Sequence, residues 1–513
     1  MADLNEPTLW RLIKARAAAT PNGLLVVDEH DRELTFADYR DACLRTAAGL
    51  AGLGVGEGTP VSWQLPTWID SFVVVGALAR LGAVQNPILP IARAREVGFI
   101  TRQTGAAVLL VPGTWRDFDY PAMAERVVEN GRPEIVVVDG SLPDGDPASL
   151  PSPPTPAPAD DPVRWVFYTS GTTAEPKGAR HTDRTVAASA RGVNAAAELG
   201  PSDRFGLVFP FTHVGGIATL FGLLMTGGAA IVVEMFEPFE TTEVLRRHGV
   251  TVAGAGTAFW LAFLQVQRTQ PAVPIFPKLR AMVGGGSPKP PTLHAEIKTE
   301  VGGIGVASGY GLTECPSLAL GTVHDPDPKL AVTDGRPAPG VEIRIVTDDH
   351  RVLDAGHVGE VRVRGPQLFK GYVDHGLDAD AFDADGFLRT GDLGRLDADG
   401  YLVISGRLKD IIIRKGENIS AKEVEGILYA HPKIADVAVV GLPDVERGEL
   451  ACAVVVLAPG VEPLTLDEIA AWCTEQGLMT QKIPEQLELV AALPKNPAGK
   501  VLKDELRHQF VGR

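Results

Sequence analysis

The stretch Tyr168–Gly178, YTSGTTAEPKG, places five hydroxyl-bearing residues and two glycines around one lysine, with almost nothing apolar among them. Such a segment is suited to hold an anion. Glycines let backbone N–H groups approach phosphate oxygens, hydroxyls add donors, and Lys177 adds positive charge. The mostly apolar run Val163–Tyr168 in front of it predicts a strand, an element rigid enough to aim those donors. The loop is not a P-loop: GxxxxGK[ST] requires Ser or Thr directly after Gly-Lys, whereas Lys177 precedes Gly178 and Ala179. Taken alone, a Ser/Thr/Gly cluster also reads as an ordinary surface turn.

Upstream of the loop, a helical pattern over Phe36–Leu53, a short strand over Pro60–Leu65 and a helical run over Ile69–Leu81 alternate as βα units do. Further strands are expected at Ala106–Val111, Glu134–Val138, Arg204–Phe209, Ala229–Val233, Val252–Gly256 and Leu279–Val283. The fold class is therefore α/β, with a large layered N-terminal domain of parallel-rich sheets packed with helices. Between Gly140 and Pro162 the chain turns to Pro, Ser, Asp and Ala, which predicts an exposed connecting linker. After Thr333 short strands (VEIRIV, Val341–Val346; GEVRVRG, Gly359–Gly365; GYLVIS, Gly400–Ser405) predict a small β-rich subdomain over about 334–406. Asp383–Gly386 is read as a turn rather than a calcium loop, since Ala381 stands where the first ligand belongs and no glutamate closes the loop. Beyond Arg407, strands at Asp410–Arg414, Val437–Leu442 and Leu450–Leu457 with helices at Ala421–Ala430 and Leu466–Gln476 predict a small, compact α+β C-terminal domain. The expected division is 1–408 and 409–513.

A chain of 513 residues exceeds what one hydrophobic core usually supports. The balance of 45% hydrophobic and 22% charged residues predicts a soluble globular protein. A net charge of −16 argues against nucleic acid or an anionic membrane as the main partner, so any polyanionic ligand must meet local positive sites and a metal ion. Cys43, Cys315, Cys452 and Cys473 show no CxxC spacing, which suggests neither a disulfide framework nor a zinc site. The N-terminus shows no signal-peptide core and Arg80 interrupts the apolar run Phe72–Val84, so the expectation is a cytoplasmic protein without an integral membrane segment.

Five further motifs follow the loop in order: GGGSP (Gly284–Pro288), GYGLTE (Gly309–Glu314), TGDLG (Thr390–Gly394), SGRLKDIIIRKGENIS (Ser405–Ser420) and LPKNPAGK (Leu493–Lys500). With them the chain, from about Leu34 onward, resembles the adenylate-forming superfamily of acyl-CoA synthetases, peptide-synthetase adenylation domains and luciferases. One departure is Ala174, where that family usually has glycine.

The resemblance implies ATP, Mg2+ and CoA as co-substrates or cofactor, and a chemistry that suits the motifs. A carboxylate resists nucleophiles because of its charge and its poor leaving group. Joining it to AMP removes both obstacles, so catalysis reduces to alignment and charge dispersal. By resemblance, Thr169, Ser170, Gly171, Thr172, Thr173 and Lys177 contact the β- and γ-phosphates, Glu314 is the magnesium ligand and Thr313 meets the α-phosphate. Tyr310 offers a face for adenine, beside Gly284, Gly285, Gly286, Ser287, Ser308, Gly309 and Gly311. Asp392 accepts the ribose hydroxyls, as two carboxylate oxygens can, and Arg407 also reaches the ribose. Lys500 bridges acid and α-phosphate, and is withdrawn when the C-terminal domain rotates about Lys409. The rotation brings up Lys415, Gly416 and Glu417, whose loop faces CoA. The acid itself is expected near PFTHVGG (Pro210–Gly216). There His213, with Val214 and Gly215, lines the carboxylate and gates the thiol, and the wall opposite comes from the small residues Ala255, Gly256 and Thr257 and Ala307, Ser308 and Gly309. Singly, each of these residues has an ordinary structural reading: a solvated charge, a core aromatic, a turn glycine.

The leading expectation is a CoA ligase acting through acyl-AMP. Amino-acid activation is disfavoured because Pro210–Leu220 contains no acid to hold an ammonium. An acyl-AMP ligase that stops at the adenylate is disfavoured by the short segment Gly365–Gly391. A non-catalytic nucleotide sensor would not need both Lys500 and Glu314. The segment Trp63–Glu96 looks most like ligases for alicyclic, medium-chain or steroid-derived acids. Which acid is bound is not legible, and the sequence leaves a homodimer open.

Overall fold

The computed structural model describes residues 4–511 except 130, 156–159, 170–175, 288, 348, 415–416, 445–446 and 497–498, and it leaves the side chains of 255, 417 and 418 undescribed. Two sheets form the N-terminal body. The larger has nine strands, six of them parallel in the spatial order Val306–Tyr310, Ala281–Gly285, Val252–Ala255, Arg204–Leu207, Ala229–Val232 and Leu24–Val27. The second has six strands, with Val163–Tyr168 lying between Val84–Pro87 and Gly178–Thr182. Buried side chains such as Val61, Trp63, Val74, Leu78, Trp165, Ile217, Leu220 and Val232 join both sheets and their covering helices in one core. The near-continuous apolar strands follow from burial of parallel sheet on both faces.

The expected elements lie close to where the sequence puts them. Ile69–Leu81 is a helix and Glu134–Val138 a strand over the same residues as anticipated. The strand expected at Leu279–Val283 instead spans Ala281–Gly285, because two glycines of the GGGSP motif pair with Ser308 and Gly309 of the next strand. Four antiparallel strands (Glu342–Val346, Gly359–Arg364, Leu388–Leu396, Leu402–Arg407) make the β-rich subdomain. Asp383 is a turn residue: its Oδ1 accepts from the backbone N–H groups of Asp385 and Phe387, and its Oδ2 from Arg362.

The described part of the segment 140–162 is exposed or half-buried, as expected, but it is more than a bare connector. It is strapped over the helices Phe36–Gly52 and Ile69–Leu81, with Leu142 and Leu150 packed against the main core. Arg80 donates to the Pro151 carbonyl. A Cβ on Gly49 would lie 2.5 Å from the Pro143 backbone, so a bare glycine lets the strap touch the helix. Prolines lack the N–H that a close-lying extended chain must otherwise satisfy, which suits them to this position.

The C-terminal domain has its own five-stranded sheet, with Ile411–Arg414, Glu417–Ser420, Ile434–Asp444, Gly448–Leu457 and Gln486–Leu489. Its separate core includes Ile412, Ile419, Val424, Val439, Val455 and Ile469. Among the described residues no helix is long and apolar enough to cross a membrane.

Candidate active site

Chain order fixes where a ligand cleft opens. The Arg204–Leu207 strand has Ala229–Val232 on one side and Val252–Ala255 on the other, so the connections depart in opposite directions beside it. In open α/β sheets the crevice outside the carboxyl ends of the strands at such a switch point is the natural binding place. The candidate residues occupy those ends: His213–Gly215 follow Arg204–Leu207, Gly256 follows Val252–Ala255, and Gly286 and Ser287 follow Ala281–Gly285. Tyr310 ends Val306–Tyr310 and leads to Gly311, Thr313 and Glu314.

At the phosphate loop, Ser170, Gly171, Thr172 and Thr173 lie outside the described residues, but both arms of the loop are placed. The Thr169 N–H donates to the Lys177 carbonyl at 3.0 Å, and the Lys177 N–H to Thr169 Oγ1 at 3.4 Å. The arms continue into the antiparallel pair Val163–Tyr168 and Gly178–Thr182. Lys177 Nζ stands 5.4 Å from the ring centroid of Tyr372, whose hydroxyl donates to Glu314 Oε1 at 2.6 Å. Glu314 and Lys177 are thus brought to one locus through a residue that sequence reasoning missed.

Thr313 is held from beneath by His181, a second residue that the sequence reading missed. His181 Nε2 is 2.9 Å from the Thr313 carbonyl oxygen, and Nδ1 is 3.0 Å from Thr185 Oγ1. A carbonyl only accepts, so Nε2 carries the proton and donates to Thr313. Burial depresses the imidazole pKa to about 4, which keeps this neutral tautomer at neutral pH.

The ribose candidates form a second cluster. Arg407 Nε lies 2.9 Å from Asp392 Oδ1, and the Tyr310 hydroxyl donates to Asp392 Oδ2. Burial first, then the neighbouring Asp392 charge, raise the Tyr310 pKa, so the phenol stays a donor. Each carboxylate oxygen retains acceptor capacity beyond these two bonds. Lys500 reaches the same cluster from the C-terminal domain, on a turn in which its N–H donates to Asn496 Oδ1 at 2.9 Å. Burial and the Arg407 charge lower its pKa to about 8, with Asp392 opposing them. Lys289 is a further residue not anticipated. It lies just after the glycine motif, donates to the Thr333 carbonyl at 2.7 Å, and is lowered to about 8 chiefly by burial.

The glycines are required for different reasons. A Cβ on Gly285 would lie 2.1 Å from the Gly309 carbonyl oxygen, so the neighbouring strand forbids a side chain there. Gly286 adopts φ +89° with open space around it, a conformation that favours glycine at the cleft. Gly284 and Ser308 are paired across these strands, and Ser287 accepts at its carbonyl from Thr257 Oγ1 at 3.3 Å.

On the acid side, His213 caps the helix Val214–Thr226, its Nδ1 accepting from the Gly215 N–H at 3.1 Å. The ring is open to solvent yet surrounded by protein mass, as at a cleft floor, and this desolvation lowers its pKa. Phe209 meets His213 edge-on at 6.4 Å and approaches Gly215, so an aromatic side chain also bounds this region. The Ala255 side chain lies outside the described set, as do Lys415, Gly416 and the side chain of Glu417. Lys409 sits in a short 3-10 turn, Leu408–Asp410, between the last strand of the β-rich subdomain and the C-terminal sheet.

Among the described residues no three His, Cys, Asp or Glu side chains gather as a metal cage. Glu314 still fits Mg2+, which is commonly held by one or two carboxylates together with substrate phosphates and water.

The family model described as AMP-binding enzyme matches residues 13–373, and that of the AMP-binding enzyme C-terminal domain matches 423–500. The chain is 34% identical to the medium-chain fatty-acid–CoA ligase of Escherichia coli strain K12, over 97% of this chain and 89% of that protein. It is also 34% identical to the salicyl-AMP ligase / salicyl-S-ArCP synthetase of Mycobacterium tuberculosis, over 98% and 91%. Among solved structures, ATP-bound MatB from Rhodopseudomonas palustris superposes with a TM-score of 0.87 at 25% identity, covering 98% of this chain and 99% of that one. Sheets, cleft and both matched segments agree: the chain belongs to the AMP-binding enzymes, the adenylate-forming superfamily that includes the acyl-CoA synthetases.

Proposed function

We propose that the protein is a carboxylic acid:CoA ligase that forms AMP. The observation that carries this reading is that Lys500, from the C-terminal domain, lies near enough to the Asp392–Arg407 pair of the N-terminal one for both charges to act on it. In the first step a carboxylate oxygen attacks the α-phosphorus of ATP, the bond to the β-phosphate oxygen breaks, and pyrophosphate leaves. Lys500 neutralises charge between acid and α-phosphate, while Thr169, Lys177 and the intervening loop hold the departing phosphates. Thr313 meets the α-phosphate, Tyr310 and Gly284–Ser287 flank adenine, and Asp392 and Arg407 hold the ribose. Mg2+, held by Glu314, supplies further neutralisation of the phosphate oxygens. In the second step the thiolate sulfur of CoA attacks the acyl carbon, the bond to the AMP oxygen breaks, and the thiol proton passes to solvent. Rotation about Lys409, between units 1–408 and 409–513, withdraws Lys500 and presents 415–417. His213, Val214, Gly215, Gly256 and Phe209 border the acyl group. The equal similarity to a salicyl-AMP ligase supports a second reading, in which a carrier-protein thiol takes the place of CoA.

The test is pyrophosphate release from ATP across benzoate, cyclohexanecarboxylate, octanoate and longer acids, with and without CoA. Release with some acid, followed by thioester only when CoA is added, is expected. Release without a CoA thioester would favour the carrier-protein reading, and nucleotide binding without release for any acid would overturn both. Lys500→Ala is expected to abolish release yet leave thioester formation from supplied acyl-AMP largely intact. Equal loss of both steps would contradict the role given to Lys500.

A further inference from the structure

The segment Phe369–Val373 lies outside every chemical motif above, yet it is stitched between two of them. On one side it runs along the exit arm of the phosphate loop. Arg180 N–H donates to the Gly371 carbonyl, Lys370 N–H to the Arg180 carbonyl at 2.7 Å, and Val373 N–H to the Gly178 carbonyl at 2.8 Å. On the other side Phe369 N–H donates to the Glu314 carbonyl at 2.8 Å. Tyr372 is 5% exposed and is set by its backbone N–H on Asp378 Oδ1 at 2.7 Å and by Phe369 edge-on at 4.8 Å. Its hydroxyl meets Glu314 Oε1 at 2.6 Å, and its ring faces Lys177 Nζ at 5.4 Å.

We propose that Tyr372 is a positioning residue that orients the Glu314 carboxylate toward a divalent metal with its hydroxyl and steadies the Lys177 ammonium with its ring. The inference rests on the reading of Glu314 as the metal ligand. A donor on one carboxylate oxygen fixes the plane of the group and leaves the second oxygen directed to a ligand, the usual work of partners behind a metal-binding side chain. The ring adds a cation–π contact on the apolar side of Lys177, so its ammonium donors point to the phosphates. A carboxylate oxygen only accepts, so the Tyr372 hydroxyl is the donor of this bond and Glu314 the acceptor.

Two substitutions separate these effects. Tyr372→Phe removes the hydroxyl and retains the ring against Phe369 and Lys177. Tyr372→Leu removes both. The readout is Mn2+ binding followed by electron paramagnetic resonance in the presence of α,β-methylene-ATP, with nucleotide affinity measured separately in EDTA. Tyr372→Phe is expected to weaken Mn2+ binding about 10-fold, at the lower end for such partners, and to leave metal-free nucleotide affinity unchanged. Tyr372→Leu is expected to weaken both. Wild-type Mn2+ affinity in Tyr372→Phe would overturn the hydroxyl's role, and unchanged metal-free nucleotide affinity in Tyr372→Leu would overturn the ring's. Glu314→Gln, measured alongside, is expected to lose Mn2+ binding. If it does not, the metal reading of Glu314 falls and takes this inference with it, an outcome distinct from failure of Tyr372 alone. Thermal melting of each variant shows that the comparison is made on folded protein.

Discussion

Lys500 lies within the influence of another cation, Arg407, and in the role proposed for it that circumstance would give the first half-reaction a pH dependence. Burial and Arg407 bring its pKa to about 8. A lysine is charged below its pKa, so at pH 7 the ammonium outnumbers the amine roughly tenfold, and at pH 9 the ratio inverts. The pH dependence of kcat/KM reports groups of the free enzyme. For ATP in the pyrophosphate-releasing step it is expected to fall about tenfold per pH unit above about 8, while thioester formation from supplied acyl-AMP lacks that limb. Lys500→Arg should lower the rate, because a planar fork replaces a point charge, and should remove the limb, because guanidinium stays protonated. A limb that persists in the arginine variant would assign it to another group.

At the scale of elements, the same chemical change has opposite signs at two glycines. Gly285 stands in the Ala281–Gly285 strand with the Gly309 carbonyl 2.1 Å from where a Cβ would be, and both are backbone. Gly285→Ala must push two paired strands apart, and an overpacking cost of about 1–3 kcal/mol is expected. Gly426 stands exposed in the helix Ala421–Tyr429 with nothing within 4 Å of a Cβ, so Gly426→Ala should stabilise by roughly 0.5–1 kcal/mol through helix propensity. Denaturant unfolding of both variants checks the signs; stabilisation by Gly285→Ala would refute the close strand approach. This pair also shows what was legible beforehand. Ile69–Leu81 was readable because burial imprints a continuous apolar signal, and Glu134–Val138, an edge strand only partly buried, because its run of β-branched residues suits a strand. The extension of a strand into Gly284 and Gly285 was not, since glycine carries no side chain to record which face it needs. Glu314, Asp392, Arg407 and Lys500 were nameable from motifs. Tyr372 and His181 were not, because each acts on a partner 58 or 132 positions away in the chain and stands among residues of unremarkable composition.

For the whole molecule, the two domains are arranged so that Lys500 lies near the Asp392–Arg407 pair. Among the described residues, two side-chain hydrogen bonds join the C-terminal domain to the β-rich subdomain: Ser420 Oγ donates to the Ser405 carbonyl, and Lys422 Nζ to the Ile404 carbonyl. Lys422 also comes near enough to Lys289 to lower the latter's pKa, so the docked helix start lies against the region that follows the glycine motif. A hydrogen bond from a charged donor contributes roughly 1.5–3 kcal/mol and a neutral one about 1 kcal/mol. Removing both with Ser420→Ala and Lys422→Met therefore shifts the docking equilibrium about tenfold or more away from this arrangement. The loss should appear as slower pyrophosphate release at saturating ATP and acid. Thioester formation from supplied acyl-AMP should be unchanged or faster, because the proposed rotation assigns it to a different docking of the same domain. If the double variant slowed both half-reactions equally, these contacts would be a requirement of the fold rather than a latch on one arrangement, and rotation about Lys409 would lose its main physical support.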